Sequence, residues 1–211
     1  MDISCMVVGE IMSNCFIVTD GKSSDAMIID PGGDGPDIIA QIEKRKLRPV
    51  YIVNTHGHID HILANPDMKA AYPDAKLCIH ESDAELLVSA QRNLSLFIGR
   101  NFTSPPAELL LKEGETITLG RLKFKVIHIP GHTEGGICLY CEDEKPPVLF
   151  AGDTLFQCSI GRTDFPGGSY KKLVSSIKKK LLSLPDETIV YPGHGPNTTI
   201  GFEKMNNPFL G

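Results

Sequence analysis

Short apolar runs alternate with longer segments of helical periodicity along most of the chain. The short runs predict strands at residues 3–8, 15–19, 26–30, 50–54, 76–80, 122–129, 136–141, 148–151 and 188–191. Apolar positions three or four residues apart predict helices at residues 37–46, 61–71, 82–91, 169–184 and 200–205. Residues 93–115 show no clear period. Strands mixed with helices throughout indicate an α/β protein whose sheet faces are covered by helices.

Length and composition indicate one ordinary globular domain. A chain of 211 residues can bury one substantial core, and the hydrophobic share of 41% and charged share of 22% are typical of globular proteins. No Gly/Ser linker or low-complexity tract interrupts the sequence. We therefore expect residues 1–211 to form a single domain.

The charge balance argues against nucleic acid and membrane surfaces as partners. A net charge of -5 and a sequence pI near 5.8 leave no broad basic surface. The lysine-rich run at residues 171–180 has helical spacing and is interpreted as the solvated face of a helix. No signal peptide precedes the first strand, and no stretch is long enough to span a bilayer. We expect a cytoplasmic protein.

Six cysteines are expected to stay reduced in that compartment. Cys138 and Cys141 have CxxC spacing, but they lie in the predicted strand 136–141, where residues three apart point to opposite faces. This arrangement suits neither a redox turn nor a zinc knuckle. We interpret both cysteines as structural.

Four predicted strands end in a turn where a residue that can bind metal follows a glycine. Glycine allows the backbone to turn sharply and to approach a centre closely. The carboxyl ends of strands are where open α/β sheets bind ligands. We therefore expect the metal-capable side chains of these turns to converge, and these are His56, His58, Asp60, His61, His132, Asp153 and His194.

These side chains divide into two sets by their positions along the chain. His56 and His58, two apart in an extended turn, can face one ion, while Asp60 and His61 begin the next helix and can face a second. His132 would complete the first set, His194 the second, and Asp153 would bridge them. Imidazole and carboxylate suit zinc, iron or manganese, and two such cations ionise a water at neutral pH. The remaining histidines, His80 and His128, are interpreted as structural.

The run His56-Gly57-His58-Ile59-Asp60-His61 resembles the HxHxDH motif of the metallo-β-lactamase superfamily, and the later ligands match His132, Asp153 and His194. The resemblance spans essentially the whole chain. It implies an αββα sandwich of two packed mixed sheets flanked by helices, with the site on one edge. It also implies that Asp30 supports the first ligand loop as a carboxylate behind the ligands. Zinc β-lactamases of this superfamily commonly carry cysteine at the position of Asp153, so penicillin hydrolysis is not expected.

Within that superfamily, residues 152–156, 159–166 and 191–196 resemble the glyoxalase II (hydroxyacylglutathione hydrolase) group, and specifically its short single-domain YcbL-like branch. The C-terminal helical domain of longer glyoxalase II enzymes is expected to be absent. The resemblance implies a hydrolase of small-molecule thioesters such as S-lactoylglutathione, which acts by attack of a metal-bound hydroxide. One or two divalent ions are expected, most often zinc, with iron or manganese as alternatives.

Individual roles follow from this expectation. Asp60 is expected to bind metal and to orient the attacking water. Arg162 is a candidate for contacting a substrate carboxylate, since a guanidinium suits that group, although an arginine that only packs its loop is equally consistent with the sequence. Cys158 stands where relatives often have glycine, and we expect a packed thiol there rather than a residue that lines the pocket.

Other functions use the same residues. A mononuclear iron persulfide dioxygenase would need only three facial ligands, which would be His56, His132 and Asp153. A lactone or other ester hydrolase would use the same hydroxide. A non-catalytic metal-binding module is a further alternative, in which the coordination sphere would be closed.

Overall fold

The computed structural model describes residues 1–211 and contains two six-stranded sheets packed face to face. The first sheet consists of β1 (Asp2–Val8), β2 (Ser13–Thr19), β3 (Asp25–Ile29), β4 (Arg48–Val53), β5 (Lys76–His80) and β6 (Leu109–Leu111), which pair in that order. Strands β1 to β3 are antiparallel, whereas β3 to β6 are parallel. The sheet is therefore mixed.

The second sheet is also mixed. Its strands are β7 (Thr116–Leu119), β8 (Leu122–His128), β9 (Ile137–Cys141), β10 (Val148–Gly152), β13 (Ile189–Pro192) and β14 (Thr198–Thr199). A separate two-stranded hairpin is formed by β11 (Leu155–Phe156) and β12 (Ser159–Ile160). The spatial order is β14-β13-β10-β9-β8-β7, and only β10 and β13 are parallel.

Helices cover the outer face of each sheet. They are α1 (Gly35–Lys44), α2 (Ile59–Ile62), α3 (Asn65–Ala71), α4 (Ala84–Leu87), α5 (Tyr170–Ser176) and α6 (Ile200–Asn206), with 3-10 turns at Glu81–Asp83 and Ser95–Ile98 and a π-helical turn at Ile177–Leu181. None of these helices combines the length and the apolar character needed to cross a bilayer.

Three apolar layers hold these elements together. The central layer joins the two sheets and includes Phe16 of the first and Phe124 and Phe150 of the second. A second layer packs α1 and α3 on the first sheet, and a third packs α5 and α6 on the second. This order of layers confirms the αββα sandwich that the resemblance to the metallo-β-lactamase superfamily implied.

Two predicted helices differ from the observed ones. The predicted helix 61–71 is split into α2 and α3, because Pro66 has no N–H to continue the bonding pattern of α2. The predicted helix 82–91 was wrong in length, since α4 ends at Leu87. The Leu87 carbonyl, which would accept from residue 91 in a longer helix, accepts instead from the Ser104 N–H at 2.7 Å.

The six cysteines are free thiols. Cys138 lies in the outer apolar layer and Cys141 in the central one, which confirms that they point to opposite faces of β9. The expectation of a packed thiol at Cys158 was wrong, because this residue is exposed. It occupies the turn between β11 and β12 with φ of 55°. Glycine is favoured in this left-handed region, so the backbone at Cys158 has a conformation that suits glycine better than cysteine.

Candidate metal centre

The candidate centre lies at one edge of the sandwich, where strand ends of both sheets meet. β4 of the first sheet leads into the loop that carries His56, while β8, β10 and β13 of the second lead into the other three turns. The Asn14 N–H donates to the Gly193 carbonyl at 2.7 Å and so ties the start of β2 to the turn that follows β13. The structure brings all seven predicted side chains together in three overlapping groups.

His56, His58 and His132 form the first set. Nδ1 of His58 lies 2.9 Å from Nε2 of His132, which lies 3.2 Å from Nε2 of His56. All three rings are buried. Three inward-facing ring nitrogens at these separations are the donor arrangement of a transition-metal site.

Asp60, His61 and His194 form the second set. Oδ2 of Asp60 lies 3.2 Å from Nε2 of His194 and 3.5 Å from Nε2 of His61. Asp60 and His61 belong to α2, which begins directly after His58. The ring of His61 also lies against that of His56, with centroids 4.2 Å apart, and these two residues form a third group with Asp153.

Asp153 lies between the two sets. Its Oδ1 is 3.4 Å from Nε2 of His61, and its Oδ2 is 3.6 Å from Nε2 of His132. One carboxylate oxygen therefore faces each set, which is the geometry of a bridging ligand.

The outer ring nitrogens of four histidines are held by oxygen atoms. Nδ1 of His56 lies 3.2 Å from Oγ1 of Thr55, and Nδ1 of His61 lies 3.0 Å from Oδ2 of Asp30. Nδ1 of His132 lies 2.8 Å from the Arg162 carbonyl oxygen, and Nδ1 of His194 lies 3.1 Å from the Met12 carbonyl oxygen. Because these oxygens accept the Nδ1 proton, each neutral ring directs its Nε2 lone pair into the centre. His58 presents Nδ1 instead.

Two buried atoms of the centre have no hydrogen-bond partner in the protein, namely Nε2 of His61 and Oδ1 of Asp153. Buried polar atoms are normally paired, so this pair of atoms calls for a further partner. An imidazole nitrogen and a carboxylate oxygen are both good ligands for zinc, iron and manganese. The residues present therefore fit one or two divalent cations.

Burial and mutual charge set the protonation of the centre. Burial, with His132 beside it, lowers the pKa of His58 to about 3, and burial also lowers that of His56 well below its usual value. Burial opposes the charged form of His61, but Asp60 and Asp153 raise its pKa well above the ordinary value. Burial therefore favours the neutral forms of His56 and His58, whereas the two carboxylates favour the protonated form of His61.

Asp30 supports the loop that carries the first ligands. This carboxylate is 1% exposed. Its Oδ1 accepts from the Thr55 N–H at 2.7 Å, and its Oδ2 accepts from the Thr55 hydroxyl at 2.6 Å and lies 3.0 Å from Nδ1 of His61. Asp30 thus links the end of β3 directly to His61 of the second set and, through the Thr55 hydroxyl, to His56 of the first.

Two of the glycines before ligands are required by close contacts. A Cβ at Gly193 would lie 2.2 Å from Oδ1 of Asp153 and 2.8 Å from Cε1 of His61. At Gly152, where φ is +49°, a Cβ would lie 2.3 Å from Oγ1 of Thr55. Any larger residue would displace a ligand or its support.

Asp83 is a buried carboxylate that the sequence analysis did not identify. Its Oδ2 accepts from the Thr133 hydroxyl at 2.7 Å and from the Gly57 N–H at 3.2 Å, and its Oδ1 accepts from the Gly135 N–H at 2.6 Å. It therefore ties the His56–His58 loop to the turn of His132. No local pattern marks it, because its partners lie on two distant loops.

The predicted substrate contact, Arg162, has a carboxylate partner within its own loop. Its guanidinium donates to both oxygens of Asp164, at 2.8 and 2.7 Å, and lies 3.9 Å from the centre of the Phe165 ring. Arg92, which the sequence analysis did not identify, has no carboxylate partner and lines a cleft of about 300 Å³ beside Asp83.

His80 and His128, interpreted as structural, lie outside the ligand sets. Their rings stack with centroids 4.0 Å apart and planes 15° apart. Nδ1 of His80 accepts from the Ser82 N–H at 3.2 Å and so caps the turn that begins at Glu81. Burial, with His128 beside it, lowers the pKa of His80 to about 4.

We expect this shift to destabilise the protein in acid. His80 stays neutral in the folded state down to about pH 4, whereas in the unfolded chain it takes up a proton below about pH 6.5. The free energy of unfolding should therefore fall as the pH is lowered through this window. In metal-free protein, His80→Asn keeps the cap and should weaken the pH dependence seen by urea unfolding at pH 7 and 5. An unchanged dependence would contradict this assignment.

Comparison with known proteins gives a consistent family. A family model described as the metallo-beta-lactamase superfamily matches residues 8–194, which include all seven candidate residues. The hydroxyacylglutathione hydrolase GloC of Haemophilus influenzae is 41% identical over 211 residues, covering 100% of this chain and 98% of that protein.

Three solved structures share this fold. BLEG-1 B3 metallo-beta-lactamase is 38% identical with a TM-score of 0.93, covering 99% of both chains. TTHA1623 in a di-iron-bound form is 36% identical with a TM-score of 0.85, covering 98% of this chain and 100% of that one. ETHE1 from Myxococcus xanthus is 29% identical with a TM-score of 0.80, covering 99% of this chain and 84% of that one.

Proposed function

The chain belongs to the metallo-beta-lactamase superfamily of metallo-hydrolases, and from this premise we propose that it hydrolyses small-molecule thioesters such as S-lactoylglutathione. The observation that carries the proposal is the position of Asp153, whose two oxygens face the two ligand sets. The similarity to a hydroxyacylglutathione hydrolase over the full length supports the choice of substrate.

The superfamily binds one or two divalent ions through a cluster of this kind. In the proposal, the first set would hold one ion, the second set another, and Asp153 both. Zinc is the proposed metal, with iron or manganese as alternatives, and TTHA1623 shows that a similar protein binds two irons. When bound, such ions lower the pKa of water and polarise a carbonyl.

The protein's own groups supply orientation. The oxygens that hold Nδ1 of His56, His61, His132 and His194 fix those rings, so the centre needs little reorganisation during the reaction. Asp60, whose side chain is 16% exposed, lies at the edge of the centre, where its carboxylate can orient the attacking water. A thiolate leaves readily near neutral pH, so no strong general acid is required.

Arg92 is the proposed contact for a carboxylate of the thiol carrier. Arg162 already donates to Asp164, whereas Arg92 is free to bind a carboxylate in its cleft. We propose Arg92 beside Arg162, because Arg162 is already paired with Asp164, whereas Arg92 lines an open cleft together with Asp83 and Glu134.

A substrate panel combined with elemental analysis tests the proposal. Protein loaded in turn with zinc, iron and manganese is assayed with S-lactoylglutathione, a lactone, a penicillin and glutathione persulfide. We expect thioester cleavage to be fastest, and no oxygen uptake with the persulfide. Oxygen uptake on the iron-loaded protein, with slow thioester cleavage, would instead support the persulfide dioxygenase.

A further inference from the structure

The entrance to the candidate centre is bordered by four exposed apolar side chains and by the partly buried ring of Phe165. We define the apolar rim as Ile11, Met12, Phe97, Ile98 and Phe165. The exposed fraction is 66% for Met12, 68% for Phe97, and 46% for both Ile11 and Ile98. Isolated exposed apolar residues are ordinary, but a group of them beside a polar centre indicates a binding surface.

One part of the rim borders the second ligand set. Ile11 and Ile98 line a narrow crevice together with Asp60. The Met12 carbonyl oxygen accepts from Nδ1 of His194 at 3.1 Å. The β1–β2 turn and the segment that contains Ile98 therefore meet beside this set.

The other part borders the first ligand set. The ring centroid of Phe165 lies 6.0 Å from that of His58 and 6.3 Å from that of Phe97. Phe97 and Ile98 are neighbours in the chain, so the rim continues from one ligand set to the other.

The cations near the rim are paired with carboxylates of the protein. Arg100 donates to Glu10 at 2.9 Å, which joins the two loops that carry Ile11 and Ile98. Arg162 donates to both oxygens of Asp164. The rim therefore presents apolar surface with little free positive charge, and it suits an uncharged apolar group better than an anionic one.

The position of Arg92 suggests how a substrate would lie. This guanidinium lines a separate cleft with Thr133, next to His132, and with Pro166, next to Phe165 of the rim. A substrate with an anionic carrier and an apolar acyl group would place the carrier at Arg92 and the acyl group on the rim.

We propose that the apolar rim binds the acyl group, so that the enzyme prefers thioesters of larger apolar 2-hydroxy acids to lactoyl thioesters. This inference rests on the proposed function and adds the substrate class. Its physical basis is the removal of apolar acyl surface from water against Phe97, Ile98 and their neighbours. A lactoyl group has only one methyl group to place against these side chains, so it gains little from them.

The test compares lactoyl, 2-hydroxyhexanoyl and mandeloyl thioesters of glutathione. We expect kcat/KM to be about tenfold higher for the larger acyl groups. Phe97→Ser and Ile98→Ser should each bring this preference to within about twofold, because they remove the apolar surface that the larger acyl groups contact. Leu110→Ser is the matched control, because Leu110 is also 46% exposed but lies on the edge strand β6.

A binding measurement separates recognition from chemistry. Calorimetry with the free acids should show tighter binding of mandelate than of lactate, and this difference should disappear in Phe97→Ser. Equal cleavage of all three thioesters would overturn the inference and leave the proposed function intact. Absence of any thioester cleavage would overturn both. A change of oligomeric state in Phe97→Ser would assign the rim to a second copy of the chain and overturn the acyl site.

Discussion

Replacing Asp153 with asparagine is expected to reduce thioester turnover by about three orders of magnitude while the fold is retained. In the wild type, Oδ1 faces His61 and Oδ2 faces His132. An amide keeps the shape of the side chain, but it supplies only one oxygen and no charge, so the two ligand sets lose their common ligand. A loss of several kcal/mol of charge stabilisation corresponds to this reduction in rate.

Steady-state kinetics with excess zinc, together with elemental analysis, measures this effect. Asp186→Asn is the control, since Asp186 is a surface carboxylate paired with Lys204, and such pairs contribute little. Circular dichroism should show the same fold in both variants. Asp153→Asn protein that retained more than about a tenth of wild-type turnover would remove the case for a bridging carboxylate.

The β-strands of the sandwich were the most predictable part of the fold. Buried strands such as β4 and β10 are short continuous apolar runs, and their bounds agree with prediction to within about two residues. β7 was not predicted, although its alternation of exposed Thr116 and Thr118 with buried Ile117 and Leu119 carries the signal of a half-buried strand. This four-residue pattern directly follows residues 93–115, which show no clear period, and it is too short to stand out from them.

Helix lengths were less predictable, because distant contacts set them. The spacing of apolar residues through residues 82–91 indicates a longer helix than α4. Only the folded structure shows that Ser104 takes the Leu87 carbonyl and so ends the helix. Nothing within the helix itself encodes this competition, which depends on a residue 17 positions away.

The candidate ligands were predictable for a different reason. Each of the four turns places a ligand-type side chain at a strand end, and in each turn a glycine directly precedes a ligand in the sequence. Residues that support the ligand loops or line the neighbouring cleft are harder to identify from the sequence. Asp83 and Arg92 follow no motif, since the contacts of Asp83 and the cleft of Arg92 exist only after residues 82–92 pack near the turn of His132.

Asp30→Asn is expected to lower both the stability of the metal-free protein and its affinity for metal. The buried carboxylate accepts three hydrogen bonds, two from Thr55 and one from Nδ1 of His61. An amide would direct N–H groups at one of these donors and leave it unpaired. We expect the free energy of unfolding to fall by about 2–4 kcal/mol.

The effect on metal affinity follows from the proton on His61. A neutral amide oxygen is a weaker acceptor than the carboxylate, so it holds that proton on Nδ1 less firmly, and a ring with its proton on Nε2 cannot bind the metal with that atom. Loss of such a supporting group typically lowers metal affinity by about 10- to 100-fold. Competition with a chelator measures the affinity, and urea unfolding of metal-free protein measures the stability.

Asp34→Asn provides the matched control for both measurements. Asp30 and Asp34 have the same φ of 51°, a conformation that asparagine tolerates, so backbone strain is not altered in either variant. Asp34 is exposed and accepts one hydrogen bond, from the Gly9 N–H. Its replacement should change stability by less than about 0.5 kcal/mol and leave metal affinity unchanged. If the two variants bound zinc equally well, the orientation of His61 would not depend on Asp30, and the supporting role assigned to this carboxylate would be wrong.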